Sequence, residues 1–235
     1  MKKGIYLGDA YELIKQIPDK SIDLILTDPP YVLDPIAGGW LPRSVQSYKK
    51  KLDEADILNG FDYSILDEFV RVQKKVNCYI WCSRKQLNDL LNYFISRGYM
   101  YDVLMWCKKG SAPFYNDGYL KNKEYCCFFR DHGATWKPKD YQSANGIYIS
   151  PQNSADNKAY DHPTVKPLPF IERLVANSTN PNDIVLDPFC GTGTTLKACQ
   201  NLNREYIGFE INEKYYNIAK DRLNNINAKG EVTLF

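Results

Sequence analysis

Short apolar runs alternate with amphipathic stretches over most of the chain, and two long breaks interrupt them. Ile22-Asp23-Leu24-Ile25-Leu26-Thr27 is short and apolar enough for a buried strand, and Asp28-Pro29-Pro30-Tyr31 must end it because two prolines cannot continue a ladder. Before it, Gly4–Leu7 predicts a strand and Tyr11–Ile17 a brief helix stopped by Pro18. After it, a helix is expected over Tyr63–Lys74, with Ile65, Leu66, Phe69 and Val70 inward, then a strand over Val76–Trp81. Ser83 is a plausible N-cap for a helix over Arg84–Ser96, which Gly98 would stop. Tyr101–Cys107 and Tyr125–Arg130 predict two strands that pair as a hairpin. In the last third a helix (Phe170–Ala176), a strand (Asp183–Asp187), a helix (Thr194–Asn201), a strand (Glu205–Glu210) and a helix (Glu213–Leu223) follow in alternation. Such alternation argues a mostly parallel sheet.

The breaks carry a different composition. From 32 to 60, Pro35, Gly38-Gly39, Pro42 and Lys49-Lys50-Lys51 indicate an irregular loop, expected to be mobile and near the active site. Between Asp131 and Tyr160 no periodicity survives. The 235 residues, 44% hydrophobic and 25% charged, suit one globular domain over 1–235, and no membrane-length apolar run occurs. A cytoplasmic location is the resulting expectation. Net charge is only +2, so a nucleic-acid surface must be a local patch. The seven cysteines show no Cys-x-x-Cys spacing and only His132 and His162 accompany them, which argues against a metal centre.

Two stretches carry chemistry. Asp28-Pro29-Pro30-Tyr31 presents an acid, a proline carbonyl and an aromatic face in one rigid turn at the carboxyl end of a strand, where open α/β sheets place ligands. A planar base with an amino group fits this trio, although a plain strand and proline turn would also explain four residues. The second stretch, Asp187-Pro188-Phe189-Cys190-Gly191-Thr192-Gly193-Thr194-Thr195, lies between a strand and a helix. Glu210 ends the next strand, where nucleotide-binding sheets place a carboxylate on ribose hydroxyls. A generic dinucleotide fold would share these features. Yet the loop lacks both a third glycine and a phosphate-binding lysine, and Asp187 at its mouth would repel a pyrophosphate. A cationic, phosphate-free cofactor such as S-adenosylmethionine fits better.

Together these residues resemble the amino-methylating DNA methyltransferases, in the class whose catalytic motif precedes the cofactor motif. The resemblance implies a circularly permuted Rossmann-like fold with a mostly parallel seven-stranded sheet, helices on both faces and a small target-recognition insertion. It further implies that Asp28, Pro29, Pro30 and Tyr31 form the catalytic turn and that Asp9 and Ala10 contact the cofactor adenine. His162, Thr164 and Lys166 of His162-Pro163-Thr164-Val165-Lys166-Pro167 would cover the methionine end, although Val165 stands where the family often has Gln. Asp187, Phe189, Cys190, Gly191, Thr192, Gly193, Thr194 and Thr195 would line the methionine-binding loop, with Glu210 on the ribose. Adenine N6 in double-stranded DNA is the expected target, because Asp rather than Ser precedes the prolines; cytosine N4 is the alternative. A non-catalytic nucleic-acid-binding subunit is the reading from another class, and intact residues at every motif count against it.

Residues 105–160 form the candidate target-recognition region. Basic and aromatic residues interleave over 105–145, and Lys121, Lys123, Lys137 and Lys139 are the expected phosphate contacts. The small space for target reading suits a homodimer or a short target, and the resemblance admits a cognate restriction endonuclease as partner.

Overall fold

The computed structural model describes residues 1–32, 59–110, 119–120 and 122–224. Eight strands form one sheet: β1 (Gly4–Leu7), β2 (Leu24–Thr27), β3 (Asn77–Cys82), β4 (Met100–Lys109), β5 (Lys123–Arg130), β6 (Ile147–Pro151), β7 (Ile184–Asp187) and β8 (Glu205–Glu210). Their spatial order is β1-β8-β7-β2-β3-β5-β4-β6, and only β5 runs against its neighbours. Strand β7 is therefore inside the sheet although it comes late in the chain, as a permuted fold requires. The sheet has eight strands rather than seven because Ile147–Pro151, which showed no usable periodicity, adds a parallel edge strand beside β4. Its alternating exposed and half-buried residues are those of a short edge strand.

The helices are α1 (Ala10–Leu13), α2 (Ile65–Val72), α3 (Leu87–Ile95), α4 (Tyr141–Ala144), α5 (Ser154–Ala159), α6 (Leu168–Ser178), α7 (Thr194–Asn201) and α8 (Glu213–Leu223). Side-chain alternation along the strands sorts them into two outer layers. Ile25, Cys78, Ile80 and Phe129 point to one face, against Ile65, Leu66, Phe69, Leu90 and Phe94. Leu24, Leu26, Tyr79, Trp81 and Val185 point to the other, against Phe170, Ile171, Leu174 and Val175. β2 and β3 are buried throughout, as strands covered on both faces must be. Two local expectations change. The short helix after β1 shifts into a 3-10 turn over Ile14–Gln16. Ser83 does not cap α3: its N–H donates to the Gln86 side chain at 3.0 Å, and the helix starts at Leu87. Among the described residues no helix is long and apolar enough to cross a membrane.

Strand direction decides what reaches the catalytic edge. β2, β3, β7 and β8 all end there, whereas the antiparallel β5 begins there and carries the chain to the opposite edge. β6 then returns it, so that α5 and the segment 161–167 come back over the site.

Candidate active site

Adjacent parallel strands β2 and β7 each end in Asp-Pro, and the site is built between these two turns. The first turn is braced from three sides. Gln86 Nε2 donates to the Pro30 carbonyl at 3.1 Å, Gly60 N–H donates to the Tyr31 carbonyl at 3.2 Å, and Val32 bridges Asn59. Both ends of the 32–60 loop are thereby held at the catalytic turn; its interior, 33–58, lies outside the described residues. Lys166 Nζ donates to Asp28 Oδ2 and lies 3.1 Å from Glu124 Oε2; Glu124 in turn pairs with Lys108. Among the described residues Asp28 Oδ1 accepts no hydrogen bond. Burial raises the Asp28 carboxyl above its usual range, Lys166 pulls it back, and Glu124 adds to the rise. Burial also raises the Tyr31 hydroxyl strongly, with Asp28 and Glu124 reinforcing it. The Tyr31 ring packs on the cluster that holds Trp81, and Lys166 Nζ sits 5.3 Å and 5.0 Å from those two ring centres.

The second turn is a self-contained cradle. Thr27 Oγ1 donates to Asp187 Oδ1 at 2.8 Å, and Phe189 N–H donates to the same oxygen at 3.2 Å. Glu210 accepts from Gly191 N–H and Asn212 N–H, each at 2.8 Å. Gly191 (φ +51°) is open: a Cβ there would meet nothing nearer than His162 Nε2 at 4.0 Å. Gly193 (φ +77°) is different, because its Cβ would meet Ala219 of α8 at 3.0 Å. A glycine at this position lets the loop pack closely against α8. Arg222, buried on α8, donates to the Thr192 carbonyl and to Thr194 Oγ1 and stacks over Tyr160 at 4.2 Å. Thr195 also lowers the Asp187 carboxyl, and Cys190 turns into a small core with Leu196 and Leu223.

The covering segment is pinned by α5. Asn157 accepts from Val165 N–H and donates to the Pro163 carbonyl, while Asn153 donates to the Val165 and Lys166 carbonyls. His162 Nδ1 accepts from Thr164 N–H at 3.2 Å, and burial, with Lys166 and Lys214 nearby, lowers the ring to about 4. The imidazole is thus neutral at physiological pH. Asp9 caps α1 through Tyr11 N–H, and Ala10 is buried behind it. Tyr11, Phe61 and Phe189 form an aromatic wall, with Phe189 6.2 Å from each of the other two ring centres.

Three expectations change on this geometry. Lys166 contacts Asp28 and Glu124, whereas the motif had placed it on the cofactor. Asp187 is buried and occupied with Thr27 and Phe189, tying β2 to β7. The four lysines are not brought together. Lys123 opens β5 at the catalytic edge, whereas Lys137 is held by Asn177 and Asn180 just ahead of β7, at the opposite edge, and Lys139 follows it there. The antiparallel course of β5 separates them; Lys121 lies outside the described residues. Gln86, Glu124, Asn153, Asn157 and Arg222 carried no sequence signal of their own. Only the four-residue spacing of the two asparagines, which puts both on one helix face, pointed to a shared task.

A sheet with its nucleotide cradle and acid turn on neighbouring strands defines a class, the S-adenosylmethionine-dependent amino-methyltransferases. The family model described as DNA methylase, N6_N4_Mtase, matches residues 22–221, and the chain belongs to that family. The Type II methyltransferase M.HpaI of Haemophilus parainfluenzae is 31% identical over 95% of this chain and 74% of its own. The crystal structure of the M1.HpyAVI–SAM complex matches 94% of this chain and 98% of its own with a TM-score of 0.63 and 28% identity. The cytosine-N4-specific PvuII DNA methyltransferase, 18% identical, shares the fold over 94% of this chain and 86% of its own, with a TM-score of 0.67. S-adenosylmethionine is the cofactor. The residues fit it: an open glycine, a half-satisfied carboxylate, an aromatic wall and a neutral histidine surround the loop.

Proposed function

We propose that the chain methylates the exocyclic N6 amine of adenine at a specific sequence in double-stranded DNA, on a base flipped out of the duplex. The Asp28 carboxylate carries this reading, with one oxygen held by Lys166 and the other without a hydrogen-bond partner among the described residues. An aromatic amine is a weak nucleophile because its lone pair is delocalised into the ring. Asp28 and the Pro29 carbonyl accept its hydrogens and polarise it, and they stabilise the positive charge that develops on nitrogen during transfer. S-adenosylmethionine supplies the methyl group from its sulfonium. Tyr31 provides the face on which the base stacks, and Glu210 offers the ribose the lone pairs that its two backbone donors leave. The Lys166 ammonium offsets part of the rise that burial gives the Asp28 carboxyl, and the methylated amine loses its proton after transfer has made the nitrogen cationic.

Asp rather than Ser before the two prolines supports adenine. Cytosine N4 is the second reading, because the PvuII enzyme has the same fold. Mass spectrometry of nucleosides from DNA treated with the protein tests the choice. N6-methyldeoxyadenosine is the expected product; N4-methyldeoxycytidine would transfer the reading to cytosine, and no methylated nucleoside would sink it.

A further inference from the structure

Four charged side chains stand in line from the β4–β5 hairpin to the catalytic turn: Lys108, Glu124, Lys166 and Asp28. They are two cations and two anions, so the chain is neutral as a whole. Lys166 is the most deeply placed, its side chain only 5% exposed, and the Tyr31 and Trp81 rings flank its ammonium. A buried ammonium with one carboxylate would grip it hard, since little solvent competes. A gripped Asp28 could not turn an oxygen toward an incoming amine. Here the ammonium is shared, and Glu124 is itself anchored by Lys108.

We infer that Lys166 and Glu124 are positioning residues for methyl transfer: Lys166 orients the buried Asp28 and offsets part of the cost of its charge, and Glu124 draws part of the ammonium's hold away so that Asp28 can accept the target amine. The inference rests on the reading of Asp28 as the acceptor of that amine. Burial lifts both carboxyls, and the ammonium counters the lift in both; it prevails at Glu124, with Lys108 helping, but not at Asp28. Beyond Lys166 and Glu124, the groups among the described residues that interact electrostatically with Asp28 are Tyr31, Asp187, Cys82 and Cys126. These four are unchanged in the variants below, so differences between variants isolate the two positioning residues.

The test is the pH profile of kcat with S-adenosylmethionine saturating. In Lys166→Met, burial and Glu124 repulsion act on Asp28 with Tyr31 as their remaining counter, so the acidic limb moves to higher pH. In Glu124→Gln the repulsion is lost and the whole ammonium falls to Asp28, so the limb moves to lower pH. The plateau of that variant drops about tenfold or more, because Asp28 is now gripped. Cofactor affinity by calorimetry stays at the wild-type value in Glu124→Gln. Limbs that move the same way, or not at all, overturn the inference, as does a loss of cofactor affinity in Glu124→Gln, which would make Glu124 structural. If Lys166→Met does not fold, Glu124→Gln decides alone: a lowered limb supports the inference and an unmoved limb refutes it. Asp28→Asn, run alongside, separates the two levels. Retained turnover there removes the Asp28 reading itself, whereas an inactive Asp28→Asn beside unseparated limbs removes only the roles of Lys166 and Glu124.

Discussion

The two Asp-Pro turns sit on neighbouring strands, share their first two residues and have opposite fates. Asp187 is enclosed by uncharged donors, Thr27 Oγ1 and Phe189 N–H, with Thr195 beside them, and burial raises its carboxyl to about 7. Asp28 is paired with an ammonium and has one oxygen without a hydrogen-bond partner among the described residues. The donors around Asp187 lock two strands together; the ammonium beside Asp28 holds one carboxylate oxygen and leaves the other without a hydrogen-bond partner among the described residues. Placement at a strand end is common to both, so the neighbours decide which acid ties strands together and which keeps an oxygen for the target amine under the proposed function. Thr27 makes the link, because it immediately precedes Asp28 and binds Asp187.

The sharpest way to break this comparison is to neutralise each acid in turn. Asp28→Asn should lower turnover by about 10²–10³-fold or more, whereas Asp187→Asn should keep most of it. Equal losses in rate assays would erase the distinction. Next in size is a stability effect at Asp187. Its folded carboxyl binds a proton more tightly than the unfolded one, so wild-type stability falls as pH rises from about 4 to about 7 and is level above. At about 1.4 kcal/mol per tenfold of proton affinity, the loss reaches at most roughly 4 kcal/mol. Asp187→Asn cannot ionise, so its melting temperature relative to wild type should climb across that window. A constant difference would contradict the buried, protonated acid.

A smaller effect separates the two glycines of the second turn. Gly193→Ala meets Ala219 and a left-handed backbone, so it should lose about 1–2 kcal/mol of stability. Gly191→Ala shares the left-handed strain but meets open space, so it should lose less stability than Gly193→Ala and weaken cofactor binding more. Calorimetry and thermal melts on both variants check the split, and matching profiles would refute it. The smallest effect concerns the lysines. Neutralising Lys123 should reduce the slope of log affinity for DNA against log salt by about 1, whereas neutralising Lys137 and Lys139 should leave it unchanged. A flattened slope in the Lys137/Lys139 variant would restore the far edge as a DNA surface.

Much of this fold could be read in the chain wherever local signals agreed. Thr194–Asn201, Glu205–Glu210 and Glu213–Leu223 fall on their expected bounds, because a left-handed glycine opens the first helix and Asn212 caps the last. β6 and α5 were not legible, since an edge strand of five residues and a helix of six bury too little to leave a period. Both motif turns were legible as turns, yet their chemistry was not fully so. The partner of Asp28 lies 138 residues away, and Glu124 read as one acid among several in a basic stretch. Residues 105–160 looked like one surface because a sequence does not display strand direction. Once β5 runs antiparallel, that stretch divides between both edges of the sheet.

Single-turnover transfer of labelled methyl from S-adenosylmethionine to DNA, with wild type and Asp28→Asn side by side and cofactor binding measured on the same samples, tests the account most directly. The account predicts label on adenine N6 with the wild type and transfer slower by about 10²-fold or more with Asp28→Asn, although the variant binds cofactor as the wild type does. Transfer by a cofactor-loaded Asp28→Asn at the wild-type rate would contradict it.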